Sequence, residues 1–96
     1  MAKTILAYHG NNSYGKPVEV AQSENHDWFC REYYFNGYAM AWGKWTKVKT
    51  GIVHPEYIRN HYTDEMVKVE NPENRIEWGF TYLVKFENTP KFRLPN

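Results

Sequence analysis

The chain has 96 residues, the size of one domain built on one core. Twelve Lys and Arg stand against eleven Asp and Glu, for a net charge of +1. This near-balance excludes an acidic phosphate mimic and a histone-like basic binder, both of which need a large field of one sign. The only cysteine, Cys30, excludes an intrachain disulfide framework and is compatible with a reducing compartment.

Four Trp, eight Tyr and five Phe carry much of the apolar mass, while Leu occurs only at positions 6, 83 and 94. Flat rings suit a pleated, half-buried surface, so this profile favours sheet over helix. The longest apolar stretches, 5–8 and 38–42, fall far short of the roughly 20 residues of a membrane helix. Lys3 with four apolar residues nearby is too short for a signal peptide. The expectation is a soluble, cytoplasmic domain with no membrane partner.

In chain order, residues 3–8 read as a strand. Gly10-Asn11-Asn12-Ser13 and Gly15-Lys16-Pro17 then form a loop rich in turn formers. Val18 and Val20 alternate with Glu19 as in a half-buried strand. The aromatic run 27–35, Asn36-Gly37 and the run 38–42 predict a hairpin with a type I′ turn. Gly43 predicts a bulge or bend before a strand over 45–50. Thr50-Gly51 marks a turn and 52–54 a short strand, and Pro55 opens a single helical turn within 55–62. Residues 66–70 and 75–86 flank Asn71-Pro72-Glu73-Asn74 as a hairpin. Ile76, Trp78, Phe80, Tyr82, Val84 and Phe86 share one face of a long strand that bends at Gly79. Its apolar edge offers a way to pair two copies, so a homodimer is not excluded. Residues 88–96 read as an extended C-terminal arm. The predicted fold is a single mostly β domain over 1–96: a small antiparallel barrel or strongly bent sheet of six to seven short strands, with at most one short helical turn.

The segment Trp45-Thr46-Lys47-Val48-Lys49-Thr50-Gly51-Ile52-Val53-His54-Pro55-Glu56-Tyr57-Ile58 resembles the C-terminal half of bacterial Src-homology-3-type domains. Ile52 stands where that family has an aromatic residue, and the last 38 residues lie beyond the point where the family ends. The resemblance implies barrel topology and a module that binds peptide or cell-wall ligands. Tyr8-His9-Gly10 resembles, more faintly, a strand-end motif of ADP-ribosyltransferases. That family also needs a catalytic Glu, for which spacing singles out neither Glu77 nor Glu87.

The residues offer little chemistry for catalysis or metal binding. His9, His26, Cys30, His54 and His61 include only one local pair, His26 and Cys30, which a strand would hold about 13 Å apart. No metal site is expected. A Cys30 nucleophile lacks an evident His and acid, and Ser13 and Ser23 sit in turns. Gly10-x4-Gly15-Lys16 mimics a phosphate loop, but Pro17 takes the place of the required Ser or Thr. No cofactor and no catalytic set are expected.

Two kinds of macromolecular partner remain. Residues 31–60 hold five basic and two acidic residues, and there Trp42, Lys44, Trp45, Lys47 and Lys49 interleave rings with cations. This is the pattern by which small barrels stack and track single-stranded nucleic acid. The stronger expectation is recognition of a host or other partner protein. The aromatics exceed what one small core needs, and exposed Tyr, Trp and Arg anchor interfaces. Tyr33, Tyr38, Trp42, Lys44, Trp45, Lys47, Lys49 and Tyr57 are the candidate binding residues. In style, such chains resemble the small accessory proteins of large bacteriophages, many of which bind and block a host enzyme.

Overall fold

A computed structural model of the chain describes residues 2–49, 53–60, 62–78 and 81–95. It is mostly β: β1 (Thr4–Asn11), β2 (Pro17–Ser23), β3 (Trp28–Phe35), β4 (Met40–Trp42), β5 (Thr46–Lys47), β6 (Tyr57–Arg59), β7 (Met66–Lys68), β8 (Arg75–Trp78) and β9 (Thr81–Lys85). Seven strands form an antiparallel sheet in the order β4-β3-β2-β1-β9-β8, with β5 also paired to β3. The sheet stays open and does not close into a barrel. A separate two-stranded ribbon joins β6 to β7. Among the described residues no helix is long and apolar enough to cross a membrane.

Local chemistry explains the three hairpins at the start of the chain. Asn12 closes the β1–β2 turn by accepting the N–H groups of Tyr14 and Lys16 on its side-chain oxygen, with Gly15 at φ +80°. Gly10 and Asn11, expected in that loop, belong to β1. A side chain at Gly10 would lie 2.8 Å from a Leu83 methyl, so glycine is what lets β9 approach. The β2–β3 turn runs through His26 at φ +66°. The predicted hairpin at Asn36-Gly37 forms, but its turn is not type I′. Phe35 pairs with Met40, and of the two turn residues only Gly37 has a positive φ. The Asn36 side chain accepts the N–H groups of Tyr38 and Ala39, which holds a four-residue loop in place of a two-residue one.

Period-two alternation sends side chains to both faces of the sheet, and both are buried at its centre. One face gathers Tyr8, Val18, Val20, Cys30, Ile76 and Leu83, with Leu6, Trp28 and Val48 against them. The other gathers Ala7, Ala21 and Phe29 with Ala2 and Leu94, bordered by Trp45, Phe86 and Phe92. Ala7 and Ala21 are register partners, and their small side chains leave room for the C-terminal segment to lie on the sheet. Ala2 donates to the Leu94 carbonyl at 3.2 Å, and the Thr4 hydroxyl exchanges two hydrogen bonds with the Phe92 backbone.

The second half of the chain departs from the sequence reading. Residues 75–86 are not one bent strand: Trp78 pairs with Thr81, so the chain reverses there and β8 folds back on β9. Reversal breaks the expected single face. Ile76 and its partner Leu83 are buried, whereas Tyr82 and Val84 are exposed. Gly79 and Phe80 lie outside the described residues. The 66–70 run pairs with β6 rather than with β8, and Pro72–Asn74 forms a 3-10 turn between them. The helical turn expected within 55–62 is replaced by β6, because Tyr57–Arg59 finds strand partners in Met66–Lys68. Of the strand expected at 52–54, Val53 makes a single bridge to Glu77; Ile52 lies outside the described residues.

Leu94 is 0% exposed, so truncating it removes the plug from the second face. Leu94→Ala is expected to lower unfolding stability by about 2–5 kcal/mol, measured as a lower urea midpoint. An unchanged midpoint would mean that the C-terminal segment does not pack there.

Candidate functional site

The site is built outward from Arg31. On β3, Phe29, Arg31, Tyr33 and Phe35 alternate onto the face that carries the C-terminal segment. In the β2–β3 register Arg31 lies opposite Glu19, and its Nε and Nη2 meet Glu19 Oε1 at 2.7 and 2.6 Å. Three rings surround the same guanidinium, with centroids 4.7 Å (Trp42), 4.6 Å (Trp45) and 4.8 Å (Phe92) from its carbon. A planar cation can bond a carboxylate along its edge and stack on rings with its faces, which an ammonium cannot do.

A bulge makes this cage possible. From Trp42 to Thr46 the chain advances four residues while their β3 partners, Tyr33 and Cys30, are three apart. The extra residue falls at Lys44-Trp45, next to Gly43, whose N–H bonds the Glu32 carbonyl. Without it Trp45 would project to the opposite face. With it Trp45 joins Arg31 and packs on Phe92, centroids 5.0 Å apart. The bend or bulge read from Gly43 is therefore present, and its consequence is the position of Trp45.

Beyond the cage the same face runs along the hairpin to its tip. Tyr33 and Trp42 meet edge to face at 5.2 Å across a non-hydrogen-bonded pair, where side chains come closest. Phe35 and Met40 follow as the next such pair on this face, 64% and 48% exposed, and Tyr38 crowns the loop at 96%. On the other flank of the cage, His9 stacks on Phe86 at 4.3 Å, and a groove of about 290 Å³ lies between Phe86 and Trp42 with Glu19 in its lining.

The structure thus brings Tyr33, Tyr38, Trp42 and Trp45 onto one hairpin. It does not gather the rest of the predicted set. Lys44 lines a hollow with Cys30, Glu32 and Tyr34 on the opposite face. Lys47 pairs with Asp27 at 3.4 Å, and Lys49 is exposed beyond β5. Tyr57 stands on β6, opposite Lys68 in the separate ribbon. Sequence reasoning missed Glu19, Arg31, Phe35, Met40 and Phe92. The first two carried a usable signal, an acid and a base placed symmetrically about the β2–β3 turn. Phe92 carried none, because only folding places it beside Arg31.

The histidines and the thiol are spread through the fold. His54 Nδ1 lies 3.0 and 2.7 Å from the carbonyl oxygens of Pro72 and Arg75, so this nitrogen carries the proton and ties the 3-10 turn to the preceding loop. His26 sits in the β2–β3 turn, and His61 lies outside the described residues. No group of three His, Cys, Asp or Glu side chains comes together for a metal among the described residues. Burial first, and the Glu32 charge second, push the Cys30 thiol up to about 12. That is opposite to the activation a nucleophile requires. Comparison of the chain with protein-family models, with curated proteins and with solved structures finds no match in any of the three.

Two outcomes follow from these contacts. Arg31→Lys keeps the charge but loses the fork and the stacking, and is expected to cost about 1–3 kcal/mol, with a shift in tryptophan emission as Trp42 and Trp45 loosen. Unchanged stability and emission would show that the cage does not hold. The Cys30 pKa is raised in the folded state, so the unfolded chain loses its proton first. Stability from this group is complete below about pH 9 and falls as pH rises towards about 12. Cys30→Ala should flatten that alkaline decline in a urea-denaturation series, whereas an identical slope in the variant would assign the decline to other groups.

Proposed function

We propose that the protein is a non-enzymatic recognition module that binds another protein through the aromatic face of the β3–β4 hairpin. The observation that carries this reading is the continuity of the face. Tyr33 and Trp42 are fixed beside the Arg31 cage, and Phe35, Met40 and Tyr38 extend from them as large exposed side chains. Tyr, Trp, Met and Arg are the residue types enriched where protein interfaces are buried, and anchors held rigid before binding lose little entropy on contact. A module of this kind can act as an inhibitor or accessory factor by occupying its target's surface.

Binding of single-stranded nucleic acid has less support. Trp45 already lies against Arg31 and Phe92, which cover part of its ring, and the lysines around it are divided between the two faces.

The test is capture from a lysate with and without nuclease, comparing the native chain with Tyr38→Ala, Phe35→Ala and Lys47→Glu. The expected result is one dominant protein that survives nuclease and is lost, by tenfold or more in affinity, with Tyr38→Ala or Phe35→Ala but retained with Lys47→Glu. Retention that depends on nucleic acid, falls steeply with salt and is lost with Lys47→Glu would overturn the proposal in favour of the alternative.

A further inference from the structure

The two ends of the main sheet are treated differently. At one end β8 is covered, because Val53 bridges Glu77 and accepts its N–H at 2.7 Å. At the other end β4 and β5 together edge β3, and this edge has two unlike halves. Its β5 half is flanked by Lys44, Lys47 and Lys49, the charges that commonly keep an open edge from pairing with another chain. Its β4 half reads Tyr38-Ala39-Met40-Ala41-Trp42 and has no charge and no proline.

The hydrogen-bond phase of β4 can be read from its neighbours. Asn36 donates to the Ala39 carbonyl, and Gly43 donates to the Glu32 carbonyl. In an antiparallel ladder bonded and non-bonded pairs alternate. Ala41 is therefore bonded to Tyr34, while Met40 and Trp42, opposite Phe35 and Tyr33, turn their N–H and C=O groups outward. The outward groups flank Ala41 symmetrically. A two-fold axis through Ala41 places Met40 against Trp42 of a second copy, and each such pair exchanges two backbone hydrogen bonds. The sheet's faces match across this axis, so the Met40 thioether meets the second copy's indole beside Phe35, a favourable sulfur–aromatic contact.

We infer that β4 is a self-pairing edge: two copies of this chain join antiparallel at Met40–Trp42 into one continuous sheet. The inference is tested separately from partner recognition, since it needs only purified protein and rests first on outward backbone groups, although Met40 and Trp42 belong to both surfaces. A two-fold contact of this kind is self-complementary and closes at two copies.

The experiment combines sedimentation over about 1 μM to 1 mM protein with cysteine cross-linking. At the axis the two Ala41 Cα atoms would lie about 4.5 Å apart, as in a non-hydrogen-bonded pair, within the roughly 4.4–6.8 Å that a disulfide spans. The expected result is a concentration-dependent dimer that Ala41→Cys locks on oxidation, whereas Ala39→Cys, which would face Gly43 of the second copy, does not. Met40→Pro removes one outward N–H without touching the β3 ladder and should give a folded monomer by circular dichroism. A chain that stays monomeric over the whole range overturns the inference. So does a dimer that Met40→Pro leaves intact, or equal cross-linking through Ala39→Cys. Loss of capture with Tyr38→Ala in the lysate experiment bears on partner recognition alone, so the two can fail separately.

Discussion

Strand β2 is apolar on both sides, and this constraint shapes the rest of the molecule. Val18 and Val20 fill one face of the sheet and Ala21 the other, all at or near zero exposure. A sheet buried on one face can leave the other to water, but a sheet with two apolar faces needs cover twice. Among the described residues no long helix supplies either layer, and irregular segments do so instead. Val48, the His54 loop and the 3-10 turn lie over one face, where the Tyr8 hydroxyl donates to the Glu73 carbonyl at 2.8 Å. The C-terminal segment lies over the other.

The second covering also makes the candidate site. Phe92 reaches the Arg31 guanidinium only because Thr4 and Ala2 hold the C-terminal segment in place, and Trp45 reaches it only because a bulge turns it over. Core and surface are therefore not separate here. The aromatic stripe begins as packing around a half-buried ion pair and ends as exposed side chains at a hairpin tip. Residues in its middle, Tyr33 and Trp42, belong to both. Stiffness at the inner end is what would let the outer end act as a preformed recognition surface.

The edge at β4 shows the same economy of means. One extra residue at Lys44-Trp45 divides the β4–β5 edge into a charged half and an apolar half. Lysines protect the first, and the second displays unpaired backbone beside Met40 and Trp42. Sheet edges are ordinarily blunted, so an unguarded segment next to a guarded one marks a place where pairing is tolerated.

Local chemistry determined the first half of the fold. Alternating apolar residues, Asn12 and Gly15 in one turn, and Asn36 and Gly37 in another act over a few residues, and β1 to β4 lie close to where the sequence puts them. The mostly β class and the aromatic candidates Tyr33, Tyr38, Trp42 and Trp45 were legible for the same reason. In the second half the local signals were real but incomplete. Residues 75–86 alternate like one strand, yet they fold back, because pairing β8 with β9 buries Ile76 and Leu83 together and a straight strand would place them on opposite faces. Tyr57–Arg59 could have been a turn of helix until Met66–Lys68 came alongside. Contacts between residues 2 and 94, or 31 and 92, leave no periodic trace in the sequence. Only the tertiary structure could decide them, because the burial that stabilises such contacts exists only once distant segments have met.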